Sequence, residues 1–450
     1  MERRNGNGRT ILLVVGATGG ALLAFGLALA MLAYALWGAV NPLSLADGDR
    51  SSLDFVVLAS ALVVIGAVFV PSVYYGIQRL RGHVTPANPR ILRIWQGIVL
   101  VVVWLAAAVG AGLLVDKPVA KWITPLLYVL AIGIPVYFFV RLAAGGLHLG
   151  SEERLWGVLA AGIGLGITPA IVIELLAAFV ALVGVGVYVG LHPEQLAAFE
   201  QLARELQTTN DLQQLMRVVA PWATSPLVVL GALAFFSVLS PVVEETAKSL
   251  AVWSVFDRLS SPAQGFAAGA LSGAAFGMVE SLLVSATPES NWTSTLLVRG
   301  ASTMMHIMAA SLAGWGIGQF RATHNAGRMI VLYLAAMVLH GLWNAAVVMI
   351  AFGGLRTAAP SSGPDVIGVL IVVAGGALLL LLFLGIPVAM ATLNWRFRLA
   401  VPAAPLAPQP ATTLADAAND VHWATEAPPA PSVEDTSPHS PTEQGSDQSE

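Results

Sequence analysis

Seven side chains lie within long apolar stretches and are of types that do chemistry. Three stand in Ser240-Pro241-Val242-Val243-Glu244-Glu245-Thr246-Ala247-Lys248, and Glu280 ends Phe276-Gly277-Met278-Val279-Glu280. His306 stands in Met304-Met305-His306-Ile307-Met308, and the last two are His340 and Asn344 of His340-Gly341-Leu342-Trp343-Asn344. A charge at the centre of a bilayer costs roughly 2.5–3.5 kcal/mol on insertion scales, so one retained there has a partner or a function. Glu174 is a further acid at such depth, either facing the same site or pairing with a neighbour. The shared depth of three Glu, two His and an Asn in four consecutive stretches points to one site.

The spacing constrains what that site could do. Glu244 and Lys248 are four apart and Glu245 and Lys248 three apart, so one ammonium reaches either carboxylate. The two Glu point about 100° apart around a helix and take different roles. Adjacent carboxylates beside one cation in a low-dielectric site differ in proton affinity, which leaves at least one poised as a general base. Two neutral imidazoles and a carboxylate make a zinc first shell with an open position, leaving another Glu as base. The same residues also support a metal-free version, in which a Glu and a His activate water while His and Asn344 stabilise the oxyanion. Both versions lead to hydrolysis of an amide bond near the membrane. There is no Cys in the chain, no His-Glu-x-x-His signature and no Gly-x-Gly-Asp acid motif, which removes thiol proteases and two other hydrolytic designs.

The elements that must position these groups are membrane helices. Of 450 residues, 56% are hydrophobic and 11% charged, against roughly a quarter charged in ordinary soluble domains. A span needs about 20 apolar residues, and ten stretches qualify, near 11–37, 54–77, 93–115, 121–141, 168–190, 226–256, 264–286, 296–319, 328–352 and 366–392. The apolar run from Leu155 to Leu191 is too long for one simple span, and Gly162, Gly164, Gly166 and Pro169 suggest a break in it. The first stretch is too long for a signal-peptide core and reads as a retained helix. Pro241 cannot donate its backbone bond and is expected to kink the sixth stretch beside the acids. Gly265, Gly269, Gly273 and Gly277 make a flat face for a close neighbour. Leu196, Phe199, Leu202 and Leu206, then Leu212, Leu215, Met216 and Val219, predict one or two amphipathic helices on the outer surface.

Charge sets the orientation and excludes one class of partner. With an inner N-terminus, inner loops and ends carry 14 Arg and outer ones 6 Lys or Arg, so both termini are expected in the cytoplasm of a cell-membrane protein. Residues 401–450 hold eight acids and no base, and nine Pro follow Arg398, a composition expected of a disordered tail. No dense basic stripe exists for phosphates to neutralise, which excludes a nucleic-acid binder. The fold class is therefore all-α, a polytopic membrane protein of about ten helices with a disordered C-terminal tail in contact with the lipid bilayer.

Glu244-Glu245-Thr246-Ala247-Lys248, Phe276-Gly277-Met278-Val279-Glu280, His306, and His340 with Asn344 resemble, in order and spacing, the PrsW family of intramembrane proteases, relatives of the CAAX-prenyl endopeptidases and bacteriocin-processing proteins. The resemblance covers about residues 223–350. It implies a helical membrane metalloprotease that cuts membrane-anchored protein substrates such as anti-sigma factors. It also implies Glu244 or Glu245 as general base, with Glu280, His306 and His340 completing the site and holding Zn2+. The chain then divides into N-terminal helices with the outer amphipathic segment (1–222), the protease core (223–352), a last span (353–399) and the acidic tail (400–450). A proton- or ion-coupled transporter is the alternative, since Glu, His and Lys also serve as relays, but no internal repeat of the kind common in transporters is present. A scaffold in which polar residues only glue helices together is a third class; it expects Glu244→Gln to leave function intact.

Overall fold

The computed structural model describes residues 2–40, 48–87, 91–117, 119–208, 212–288, 291–358 and 365–400. The tail expected to be disordered falls on 401–450, outside the described residues. Among the described residues the fold is all helical, apart from an isolated bridge between Pro86 and Ser151. Four long helices come first: α1 (Glu2–Val40), α2 (Gly48–Leu80), α3 (Ile94–Leu114) and α4 (Ala120–Ala144). A broken rod follows, α5 (Glu152–Ala161), a π turn at Gly162–Ile167 and α6 (Thr168–Leu191). Two shorter helices, α7 (Pro193–Thr208) and α8 (Leu212–Ala223), occupy the expected amphipathic segment. A second broken rod is α9 (Pro226–Ala234), a π turn at Phe235–Leu239 and α10 (Ser240–Trp253). The chain then runs through α11 (Pro262–Val284), α12 (Trp292–Thr323), α13 (Ala326–Ala358) and α14 (Val366–Ala400).

Among the described residues, ten helical segments are long and apolar enough to cross a membrane, and they coincide with the ten expected stretches. The largest difference in extent concerns the fifth. Glu152–Leu191 continues as one 40-residue rod, because the glycines and Pro169 are accommodated by a π turn that keeps the chain helical. The kink expected at Pro241 takes a related form. Proline leaves the carbonyl four residues earlier without its helical donor, and the turn directly upstream is the π turn Phe235–Leu239.

The centre of the bundle is the α11–α12 pair. Gly265 and Gly269 face Gly314 and Ala310 so closely that a Cβ on either glycine would run into a backbone carbonyl of α12. That approach brings dispersion contact along the Gly265–Gly277 stripe, the main source of helix association in lipid. The Gly162–Ile167 turn packs onto α11, since a Cβ on Gly162 would lie 2.9 Å from the Cβ of Ala275. α4 closes the other side through Tyr128, whose hydroxyl donates to the Leu282 carbonyl and whose ring stacks on Trp292 at 5.7 Å.

Candidate active site

Three of the site groups come from one turn of α10 beyond the π turn. Glu244 is 6% exposed, and Glu245 and Lys248 are fully buried. Lys248 Nζ lies 3.0 Å from Glu244 Oε2 and 2.7 Å from Glu245 Oε1. It also sits 4.2 Å from the centre of the Phe276 ring and 2.8 Å from His306 Nδ1. The ammonium is thus enclosed by two carboxylates, an imidazole and an aromatic face, the partners a buried cation needs to offset its desolvation. Ser240, one turn before Glu244, donates to Glu244 Oε1 at 2.9 Å. Backbone contacts from neighbouring helices hold this turn in place: Ser272 of α11 donates to the Lys248 carbonyl at 2.7 Å, and Tyr333 of α13 to that of Glu245 at 3.3 Å.

α12 and α13 bring the two histidines to the same point, with ring centres 5.0 Å apart and planes nearly perpendicular. His306 turns Nδ1 towards Lys248, and its Nε2 lies 2.8 Å from Glu280 Oε2. An ammonium can only donate, so Nδ1 accepts and Nε2 carries the proton that faces Glu280. His340 is held the other way round: Nδ1 lies 2.9 Å from Glu245 Oε1, an ionised acceptor, which leaves Nε2 with its lone pair. The two lone-pair nitrogens face Glu244 Oε2, His306 Nδ1 at 3.7 Å and His340 Nε2 at 3.9 Å. Each imidazole therefore has a carboxylate behind it and a lone-pair nitrogen turned towards Glu244, that of His306 also accepting from Lys248, the arrangement that orients metal-binding histidines.

Glu244, His306 and His340 form one group whose donor atoms all lie within 4.8 Å of one another, and all three residues are buried. One carboxylate and two imidazoles suit zinc, and tetrahedral ligands at about 2.1 Å from a metal stand roughly 3.4 Å apart, close to the two spacings above. The donor set fits a divalent metal. Lys248 Nζ touches two of the three donors, so a cation already lies against them.

Six of the seven expected site residues converge: Glu244, Glu245, Lys248, Glu280, His306 and His340. The carboxylate grouped with the two histidines is Glu244, whereas the sequence suggested Glu280 in that place. Glu280 stands behind His306 and beside Arg299, whose Nη2 is 2.9 Å from Glu280 Oε2. Asn344, considered for the oxyanion, bonds to backbone. Its Nδ2 donates to the Phe236 carbonyl at 2.8 Å, tying α13 to the π turn where helical pairing is disturbed. Gly341 reinforces the contact, because only a residue without Cβ lets α13 approach the Ser237 carbonyl. Glu174 lies near Ser240 and the Glu244 carboxylate, and its Oε1 is buried without a partner.

Arg299, beside Glu280, has no place among the site residues expected from the sequence. The signal was present, since Arg299 and His306 are seven apart and share a helix face. Tyr333 carried no signal, being an ordinary residue of a membrane helix, while Ser240 and Phe276 stood in the quoted segments with no role of their own.

A family model described as PrsW family intramembrane metalloprotease matches residues 154–376. The match is wider than the motif-bearing stretch and takes in α6 with Glu174 and most of α5. No curated protein and no solved structure matches the chain.

Proposed function

This chain belongs, through residues 154–376, to the PrsW family of intramembrane metalloproteases; from that premise we propose that Glu245 is the general base of a peptidase whose metal is held by Glu244, His306 and His340. The chain is an intramembrane peptidase and a multi-pass membrane protein, and its substrates are membrane-embedded proteins. The observation that carries the assignment is the pair of lone-pair nitrogens facing Glu244 Oε2, each backed by its own carboxylate. Zn2+ is the metal that this donor set favours. Bound there, it would supply a Lewis acid beside the scissile carbonyl.

The chain's own residues do the rest. Glu245 Oε1 is committed to Lys248 and His340, and Oε2 is buried with no partner. Oε2 takes the proton from water as the water oxygen bonds to the carbonyl carbon, and returns it to the amide nitrogen as the carbon–nitrogen bond breaks. Lys248 offsets the charge of the two adjacent carboxylates. Glu280 and Arg299 hold His306 in one tautomer, and Asn344 fixes α13 against the π turn that precedes α10.

Substrate reaches Glu244 from the lipid side, past α6 and α9. α6 buries only Ala170, and α9 and its π turn bury no residue, so this wall is the least committed to the body of the protein. The substrate is a membrane-anchored protein, an anti-sigma factor being the type that the family suggests. Residues 223–352 form the catalytic core, with 1–222 and 353–399 as supporting helices, and both termini lie in the cytoplasm of a cell-membrane protein, following the positive-inside count.

The test uses the purified full-length chain and a reporter with one transmembrane segment. Cleavage is expected to stop on chelation and return with Zn2+. Metal content is expected to fall from about one per chain to near none in His306→Ala or His340→Ala, and to persist in Glu245→Gln, which is inactive. Equal metal content in all three variants, or cleavage that survives Glu245→Gln, overturns the assignment.

A further inference from the structure

Far from the carboxylates, a groove opens between the ends of α3, α4 and α14. Its volume is about 500 Å3 and its walls are Ile94, Ile98, Val101, Val102, Phe138 and Leu142. That size suits a specific ligand. Arg93, Arg141 and Arg398 also line it, and no acid does. Together they make an apolar slot with three guanidinium groups. The arginines stand at the α3 start and in the last turns of α4 and α14, the end of the bundle where the chain concentrates its positive residues.

The groove is already built without a ligand. Asn394 of α14 donates to the carbonyls of Ala143 and Gly145 at 2.8 and 2.9 Å, locking the ends of α14 and α4 together. Arg398 lays its stem across Gly146, a residue at φ +83° where no Cβ intrudes. Its Nε is buried and has no hydrogen-bond partner. A desolvated guanidinium nitrogen without an acceptor calls for an anion. Arg141 lies over the ring of Tyr137 at 5.1 Å, which fixes its plane.

We propose that this groove binds one anionic phospholipid, with an acyl chain against Ile98, Val101 and Phe138 and the headgroup phosphate held by Arg93, Arg141 and Arg398. Charge and shape select this occupant together: the walls demand hydrocarbon and the rim demands a phosphate. Basic pockets between membrane helices recognise acidic lipid headgroups by these means. The bound lipid joins α3, which packs chiefly on α4, to the locked α4–α14 corner.

The experiment is lipid retention by purified full-length protein from mixed vesicles of phosphatidylglycerol and phosphatidylcholine, read by mass spectrometry of the intact complex. One phosphatidylglycerol per chain is expected to be retained in preference to phosphatidylcholine. Arg141→Gln with Arg398→Gln is expected to lower that preference by about fivefold for each arginine removed. Val101→Trp, which keeps every arginine and fills the slot, is expected to lower retention of both lipids at this site. Arg321→Gln with Arg328→Gln, at the same end but outside the groove, is expected to change nothing. Equal retention of the two lipids, or an equal loss in the Arg321/Arg328 control, overturns the proposal in favour of general surface attraction.

Discussion

The helices at the centre and those at the rim of this protein contrast in a direction opposite to that of a soluble domain. α11 and α12 are the least apolar of the membrane-crossing segments, and most of their apolar core is buried. α14 and the Glu152–Leu191 rod are among the most apolar, and little of their most apolar part is buried. The most apolar helices face outward and the least apolar pack inside. In lipid there is no gain from hiding Leu, so the interior goes to small residues that allow close approach and to polar residues that would otherwise lack partners. Glu280, His306 and the glycine stripe share α11 and α12 for this one reason.

The contrast is broken most severely by altering the polar interior. Glu244→Gln, Glu245→Gln and His340→Ala are each expected to reduce cleavage of a membrane-anchored reporter by about 10²–10⁴-fold, with helical content unchanged by circular dichroism. A scaffold would keep its function in all three. Next in size are the groups behind the imidazole. Glu280→Gln or Arg299→Gln is expected to weaken metal affinity or activity by about 10–100-fold, measured by titration against a competing chelator.

Glycine substitutions sharpen the comparison between regions. Gly269→Leu drives a side chain into the Ala310 carbonyl, whereas at Gly376 on α14 a Cβ meets nothing within 4 Å. Overpacking at Gly269 is expected to cost about 1–3 kcal/mol or more, while Gly376→Leu is expected to be neutral or slightly stabilising in thermal unfolding in detergent. The smallest effect belongs to Asn344→Ala. Losing its bond to the Phe236 carbonyl is expected to cost about 1 kcal/mol, seen as a modest fall in unfolding temperature with metal content intact.

The ten spans and the convergence of six polar residues were legible because both rest on what a bilayer excludes. A run of apolar residues declares a helix, and a charge within it declares a partner. Which carboxylate joins the two histidines was not legible. Helical spacing fixes the angular position of Glu244 within α10 and of Glu280 within α11, but their approach to His306 depends on how the two helices are offset along and around their axes. Asn344 shows a similar limit: sharing a face with His340 does not reveal that its amide meets a disturbed backbone turn at the Phe236 carbonyl. The long run from Leu155 was correctly marked as irregular, yet glycines and a proline cannot distinguish a loop from a π turn in advance.

The Phe235–Leu239 turn also makes α9 and α10 two rods with independent rotational phase on a shared axis. A π turn holds one residue more than the α-helical turn it replaces. Deleting a single residue there would restore regular winding and swing everything upstream by about 100° relative to Glu244. The apolar face of Pro226–Ala234 would then leave the lipid, or Glu244 and Glu245 would leave the histidines. The length of that turn, rather than the identity of any side chain in it, keeps hydrocarbon contact and catalytic aim compatible within one helix.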